Sequence, residues 1–248
     1  MKSKANQISF RDKRVQWKNF IRRYPMLASV FEFIFNPALI SHRARNRLLK
    51  GLPENARILN IGSGAKRFGN KCVNLDIESF ANVDIVADAR SMPFPEESFD
   101  LVLLEYVIEH VGDSRKMMLE IYRVLKDAGL VYSTVPFMQS YHGNPQDYYR
   151  FTIEGFVKLW DSVGFTVVEC LPSGGPTSAL VCMLKEYLAV LFSFNSRTLY
   201  SVLSQLFIII FLPLKFMDFL LVSNRNAHNI AYSFSYIGEK AVKAKNEK

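Results

Sequence analysis

Apolar and polar positions change rhythm twice along this chain. From Ala56 to Pro172, short apolar runs ("RILNI", "CVNLDI", "VDIVAD", "FDLVLLEY") lead into a helix-spaced stretch, "DSRKMMLEIYRVLKDAG". The strand-like "LVYSTVPF", a second helix opening at "TIEGFVKLWDSVG" and the strand-like "FTVVECL" follow. Several of these runs are unbroken by polar residues, the pattern of strands buried on both sides in a parallel sheet covered by helices. Ahead of them, residues 1–55 read as basic helices, with Phe10, Val15, Phe20 and Ile21 among the charges and breaks at Pro25 and Pro37. Behind them, Ser178 to Val222 is dense in Leu, Phe, Ile and Val and contains 17 consecutive uncharged residues, "TLYSVLSQLFIIIFLPL". That is the lower edge of a bilayer-spanning helix, with Pro213 inside it. A last strand is expected in "IAYSFSYIGEKAV". If it rejoins the sheet, a single crossing would strand it on the wrong side of a membrane, so the apolar zone is read as a hairpin, an interfacial helix pair or a soluble cap. The expected divisions are 1–55, a basic helical segment; 56–175, the α/β core; 176–224, an apolar helical insertion; and 225–248, the last strand and a basic tail.

A length of 248 residues suits one α/β domain with additions. The three cysteines, Cys72, Cys170 and Cys182, form neither a disulfide framework nor a metal-ligand spacing, so no metal site is read and a reducing compartment is expected. Charge changes the picture more. Residues 1–50 hold twelve Lys and Arg against two acids, a local +10 in a chain of net +8, which leaves the remainder at −2. A nucleic-acid groove across the core is disfavoured, and a basic segment facing an anionic membrane is favoured, with RNA or simple solvation of a helix as the competing uses. No secretory signal is read: the apolar "MLASVFEFIF" starts only at Met26 and is interrupted by Glu32.

Candidate chemistry begins at "ILNIGSGAKRFGNKCVNLDI", Ile58 to Ile77. A dinucleotide fingerprint requires a third glycine where Arg67 stands. A phosphate loop requires Lys-Ser or Lys-Thr where Asn70 and Lys71 follow Gly69. What remains is a tight turn at Gly62, Ser63 and Gly64 that lets backbone approach a ligand, and Asp76 at a strand end, where a carboxylate can accept both hydroxyls of a ribose. Only eight residues separate Gly64 from Val73, too few for a helical crossover, so a single turn or a loop is expected there.

These residues resemble the class I S-adenosylmethionine-dependent methyltransferases of the group called type 11. The likeness runs from about Arg57 to Leu171 through "ILNIGSG", "NLDI", "ADARSMPFPEESFDLVLLEYVIEHV" and "YRVLKDAGLVYSTVPF", the third block being the most specific. The resemblance implies a Rossmann-like methyltransferase fold: a mostly parallel seven-stranded sheet with helices on both faces. It implies S-adenosyl-L-methionine as cofactor, with Gly62, Ser63 and Gly64 under its methionine part, Asp76 on the ribose, Ile77 against the adenine, Asp88 and Ala89 at the adenine edge, and Glu105 lining the mouth near the sulfonium. Asn60 stands where the family usually has an acid that contacts the cofactor's amino group; losing that charge lowers the expected affinity by about 1 kcal/mol.

Transfer from a sulfonium needs an in-line acceptor more than acid or base; a hydroxyl acceptor would also need a base. The segment "QSYHGNPQDYYRFT", Gln139 to Thr152, follows the fifth strand and offers one: His142 as base, Asp147 to orient it, Tyr148 as a further catalytic group, and Tyr149 and Arg150 to grip the acceptor. The competing reading pairs Asp147 with Arg150 and packs the tyrosines under a loop; His110 is read as structural. This segment is similar to type 11 methyltransferases found among surface-polysaccharide genes. The expected acceptor is therefore a small molecule, a cell-envelope glycan or a lipid-linked precursor. The protein is expected to be cytoplasmic, held peripherally on the inner face of the cell membrane, with the apolar insertion as membrane contact or homodimer interface. The alternatives are an inactive methyltransferase-like binding module, and a quinone, lipid or RNA methyltransferase.

Overall fold

The structure is a computed structural model that describes residues 34–36, 38–64, 66–69, 71–143 and 146–242. Most of the basic N-terminal zone, including Phe10, Val15, Phe20 and Ile21, lies outside the described residues. Helix α1 (Arg43–Gly51) precedes strands β1 (Ile58–Ile61), β2 (Cys72–Asp76), β3 (Ile85–Val86) and β4 (Phe99–Glu105). Helix α2 (Ser114–Val124), strand β5 (Leu125–Pro136), helix α3 (Ile153–Asp161) and strand β6 (Phe165–Gly174) complete the first run. A helical block follows: α4 (Pro176–Phe192), α5 (Arg197–Phe211), a 3-10 turn (Leu212–Met217) and α6 (Asp218–Leu221). The chain closes with β7 (Ser233–Lys240).

The strands form one seven-stranded sheet in the order β3-β2-β1-β4-β5-β7-β6, parallel except for β7, which runs antiparallel between β5 and β6. This is the Rossmann-like fold expected from the sequence. After β1 the chain moves outward through β2 and β3 and returns on the other side as β4. The crevice at the carboxyl ends of β1 and β4 is thus a topological switch point, where open α/β sheets bind ligands. Gly62 and Glu105 stand at those two ends.

Local chemistry sets the helices. The Asp113 carboxylate caps α2 by accepting from Lys116 N at 3.1 Å, and Met117, Met118, Ile121 and Val124 bury one face at helical spacing. Thr152 caps α3, which presses Phe156 and Trp160 onto Tyr236; the Trp160 and Tyr236 rings stack 5.6 Å apart. One expectation needs correction. The segment "LKDAG" was expected to continue α2; instead the helix stops at Val124, Leu125 pairs with Phe99 in β5, and Ala128 takes a left-handed φ of 58° before Gly129. The helices lie on both faces, as expected: α2 and α3 on one and, among the described residues, α1 on the other. There Ala44, Leu48 and Leu49 pack with Leu52 over Ile58, Cys72, Leu101, Leu103, Tyr132 and Ile237. As expected, the described residues between β1 and β2 contain no helix.

The apolar zone is a helical hairpin, α4 and α5, turned through left-handed Phe194 and Asn195 (φ 46° and 63°). Asp218 anchors its base. The buried carboxylate accepts from Thr177 N at 2.8 Å, from Ser178 N at 2.7 Å and from Ser178 Oγ at 2.5 Å, capping α4 from 40 residues away. The far side of the hairpin is left in solvent, with Leu180, Tyr187, Val190, Val202, Ile209 and Ile210 about half or more exposed.

Candidate active site

The turn after β1 is built for close approach. Gly62 N donates to Leu75 O at 2.9 Å and the residue has φ +63°; a Cβ there would come within 2.5 Å of Val107 Cγ2, so only glycine fits. Gly64 N donates to Asp76 Oδ2 at 2.8 Å, and Glu78 N donates to Asp76 Oδ1 at 3.0 Å. Asp76 is buried, yet each oxygen has one backbone partner where a carboxylate accepts about two. Beside it the Ser63 hydroxyl is buried without a hydrogen-bond partner, and Ile77 presents an apolar side chain that is 67% exposed. A spare carboxylate edge, an orphaned hydroxyl and an open apolar face at the switch point fit a nucleoside with a ribose diol.

Asn60 serves this turn from below. Its Nδ2 donates to Asn74 Oδ1 at 3.1 Å, while Asn74 Nδ2 donates to Lys66 O at 3.1 Å and to Asn82 O at 2.8 Å. The two amides sit in register across β1 and β2 and tie down both loops. Asn60 was expected at the cofactor's amino group; its amide nitrogen is committed inside the turn, and Asn74 is a supporting residue the sequence reading missed. The matching Asn at the same depth of two adjacent strands was the available signal.

Glu105 lies at the crevice mouth, in an ionic cluster that joins α1 to the turn. Arg45 Nη1 is 2.7 Å away, Lys66 Nζ 3.2 Å and His42 Nδ1 3.7 Å. Burial pushes the carboxyl up, and Lys66, Arg45 and His42 outweigh it, holding it below the ordinary range. Arg45 also lies over the Phe68 ring at 4.7 Å. Asp88 closes on its neighbour instead of standing open: Arg90 Nε and Nη2 chelate the carboxylate at 2.6–3.0 Å, and Arg90 N donates to it at 2.8 Å. Those contacts lower its pKa, the Arg90 side chain first. An adenine edge would compete with Arg90 for Asp88. Ala89 packs partly buried against the core.

In the acceptor segment, Asp147 is the hub. Arg150 grips it with Nη1 at 2.5 Å and Nη2 at 2.6 Å, His142 N donates to it at 2.9 Å, and His142 Nδ1 lies 3.3 Å from Oδ2. Burial pushes this carboxyl up, and the Arg150 pair with the His142 N–H brings it down to about 2. His142 and Asp147 therefore meet as expected. Arg150, expected to grip an acceptor, commits its guanidinium to Asp147 and to the carbonyls of Gln139, Ser140 and Tyr149. The phenols also hold the loop: Tyr148 OH donates to Gln146 Oε1 at 2.7 Å and Tyr149 OH to Gly112 O at 2.9 Å, though both rings keep exposed edges. The sequence reading passed over Glu109, the neighbour of His110 in "EHV". Its carboxylate is fully buried with neither oxygen hydrogen-bonded, 3.8 Å from His142 Nε2 and 3.9 Å from His110 Nε2. An open cleft of about 740 Å³ lies along α3 and β6, and a second of about 480 Å³ lies between α1, β6 and the segment after α6.

Comparison with known proteins bears on the same region. Residues 65–133 match the model of a methyltransferase domain. The chain is 33% identical to the uncharacterized methyltransferase YcgJ of Bacillus subtilis, over 29% of this chain and 38% of that one. It is 35% identical to the ubiquinone/menaquinone biosynthesis C-methyltransferase UbiE of Rickettsia prowazekii, over 32% of each. The match thus spans about a third of the length of these relatives. Among solved structures, the [4+2]-cyclase SpnF aligns over 91% of this chain and 97% of its own, with a TM-score of 0.52 and 13% identity. Haemonchus contortus phosphoethanolamine N-methyltransferase 2, in complex with phosphomonomethylethanolamine and S-adenosylhomocysteine, aligns over 86% and 56%, with a TM-score of 0.51 and 20% identity. The structural likenesses establish the fold. Over about a third of the chain, the domain match and the sequence relatives are methyltransferases.

Proposed function

We propose that this protein is an S-adenosylmethionine-dependent methyltransferase that works at the inner face of the cell membrane on a hydroxyl of a cell-envelope glycan or its lipid-linked precursor. The observation that carries the membrane half of this reading is the junction of the apolar hairpin with the acceptor segment. Buried Cys182 of α4 meets Ser140 Oγ at 3.2 Å and accepts from Ser140 N at 3.5 Å, and Ala179 and Cys182 pack with Met138 and Tyr232. A hairpin lying in the interface would bring His142 and its loop to the membrane surface, where a lipid-linked acceptor presents its headgroup.

The cofactor is S-adenosylmethionine, which supplies a sulfonium methyl open to in-line attack. The chain's own residues do the positioning. The Gly62–Ser63–Gly64 turn would pass under the methionine part, Asp76 would accept the ribose hydroxyls, and Ile77 would cover the adenine. His142 Nε2 takes the proton of the acceptor hydroxyl while Asp147 accepts from Nδ1 and fixes the ring. Tyr148 and Tyr149 border the acceptor with their exposed edges. Most of the rate gain would come from holding the acceptor oxygen in line with the methyl.

A quinone ring is the second reading, favoured by the UbiE relatives and by the same exposed hairpin. One experiment separates the readings: purified protein and methyl-labelled cofactor are incubated with fractionated membrane lipids, lipid-linked saccharides and quinones. Label in the saccharide fraction supports the proposal, and label in the quinone fraction replaces it with the second reading. Tight cofactor binding with no transfer to any fraction would make the protein a binding module and overturn both.

A further inference from the structure

We infer that Glu109, His110 and His142 form a site for one divalent first-row transition ion, of the zinc or iron(II) type. The three are brought together by separate parts of the chain: Glu109 and His110 lie on the 3-10 turn after β4, and His142 on the segment after β5. Their nearest ligand atoms all fall within 4.8 Å of one another. Glu109 is fully buried and both of its carboxylate oxygens lack a hydrogen-bond donor. A buried carboxylate without donors is costly unless a cation compensates it.

The outer nitrogens of both histidines are held by the surrounding chain. His110 Nδ1 is hydrogen-bonded to Gln146 O. His142 Nδ1 lies 3.3 Å from both Ser140 O and Asp147 Oδ2. Arg150 Nη2 is also 3.3 Å from His142 Nδ1, but its two protons go to Ser140 O at 3.1 Å and Asp147 Oδ2 at 2.6 Å, so Nδ1 is the donor. Both Nδ1 atoms thus face acceptors, and each ring turns its Nε2 toward Glu109. The Nε2 atoms of two imidazoles face a carboxylate without hydrogen-bond donors, with outer acceptors on both Nδ1 atoms: this is the support a metal-bound histidine receives from its surroundings. Two nitrogens and one carboxylate oxygen suit zinc or iron(II), and leave positions for water or substrate. Ligand atoms around one ion at about 2.1 Å stand roughly 3–3.4 Å apart. The present 3.8 and 3.9 Å separations need to close by about half an ångström.

In one respect this rests on the methyltransferase reading. A bound ion would hold the acceptor oxygen and lower its proton affinity, taking over the activation otherwise given to His142 Nε2. The site itself is testable without cofactor or acceptor. The full chain, free of any histidine tag and stripped with a chelator, would be titrated with Zn²⁺ by calorimetry and with Co²⁺ by visible absorption. One equivalent bound at micromolar affinity or better is expected, together with ligand-field bands of a nitrogen- and oxygen-ligated Co²⁺, and with Mg²⁺ failing to compete. Glu109→Gln and His142→Ala should each weaken binding by about 100-fold, and Asp147→Asn by about 10-fold through the ring it supports. Circular dichroism checks folding, and the partly exposed His142 gives a variant that leaves the buried carboxylate in place. Absence of binding by the folded wild type, or wild-type affinity retained by both ligand variants, overturns the site. Cofactor titration of the same samples judges the methyltransferase reading separately, so either can fail alone.

Discussion

At Asp76 a single carboxylate does two things: it pins Gly64 N and Glu78 N, and it keeps acceptor capacity toward the crevice. Asp76→Ala should weaken S-adenosylmethionine binding by about 2 kcal/mol, the scale of charge-assisted hydrogen bonds. Calorimetry checks this, and an unchanged dissociation constant would refute the site. Asp147 gives a pH signature. Its carboxyl stands at about 2, below the ordinary 3.8, so its contribution is fully present above pH 4 and is lost as pH falls toward 2. Asp147→Asn should cost about 2 kcal/mol in urea unfolding at pH 7, and the gap to wild type should shrink below pH 4; a gap independent of pH would deny the pair its role. Residues of this kind were unevenly legible. The turn at Gly62 and the strand end at Asp76 could be read because glycine spacing and an acid after an apolar run are local signals. The Asn60–Asn74 tie, the Arg90 clamp on Asp88 and the Glu109 carboxylate could not, since each depends on which side chains the sheet brings to the same depth.

Among the elements, the strands and the helices capped by a nearby Asp or Thr were legible, because hydrophobic period and cap lie within a few residues of each other. The end of α2 was misplaced because "LKDAG" has helical composition, whereas pairing of Leu125 with Phe99 decides its conformation. The hairpin is held by something no local pattern displays. Asp218 caps α4 across 40 residues of sequence, and Lys215 Nζ reaches Asn36 O at 3.3 Å. Asp218→Ala would leave the Thr177 and Ser178 N–H groups buried and unsatisfied, a loss of about 2–3 kcal/mol. The expected result is a lower melting temperature, together with faster proteolysis between α5 and β7 under conditions where the core resists. A melting temperature and a cleavage pattern identical to wild type would mean that the hairpin is held by its apolar contacts alone.

The whole molecule carries two unusual zones, a basic one in the sequence and an apolar hairpin in the structure. The sequence places +10 in residues 1–50, and within the 25-residue stretch Arg197–Leu221 the structure leaves an 18-residue window of mean hydropathy 1.8 only 17% buried. By length and composition that stretch could cross a bilayer, but β7 follows it and pairs between β5 and β6, so the chain after the hairpin must return to the sheet. One crossing is incompatible with that topology, whereas a hairpin lying in the interface is not. Basic residues near an anionic leaflet contribute up to about 1 kcal/mol each, and apolar burial adds a contribution that salt does not screen. The protein should therefore sediment with anionic vesicles at low salt, be released only in part at high salt, and be released fully by detergent. Replacing the outward Ile209 and Ile210 together by Asp should abolish the salt-resistant fraction without changing the fold, since both side chains are about half exposed. Protease added outside sealed vesicles that carry the protein on their inner face should reach neither terminus. Wild-type protein that stays in the supernatant as a dimer would reassign the hairpin to a subunit interface, and external cleavage at either end would establish a true crossing.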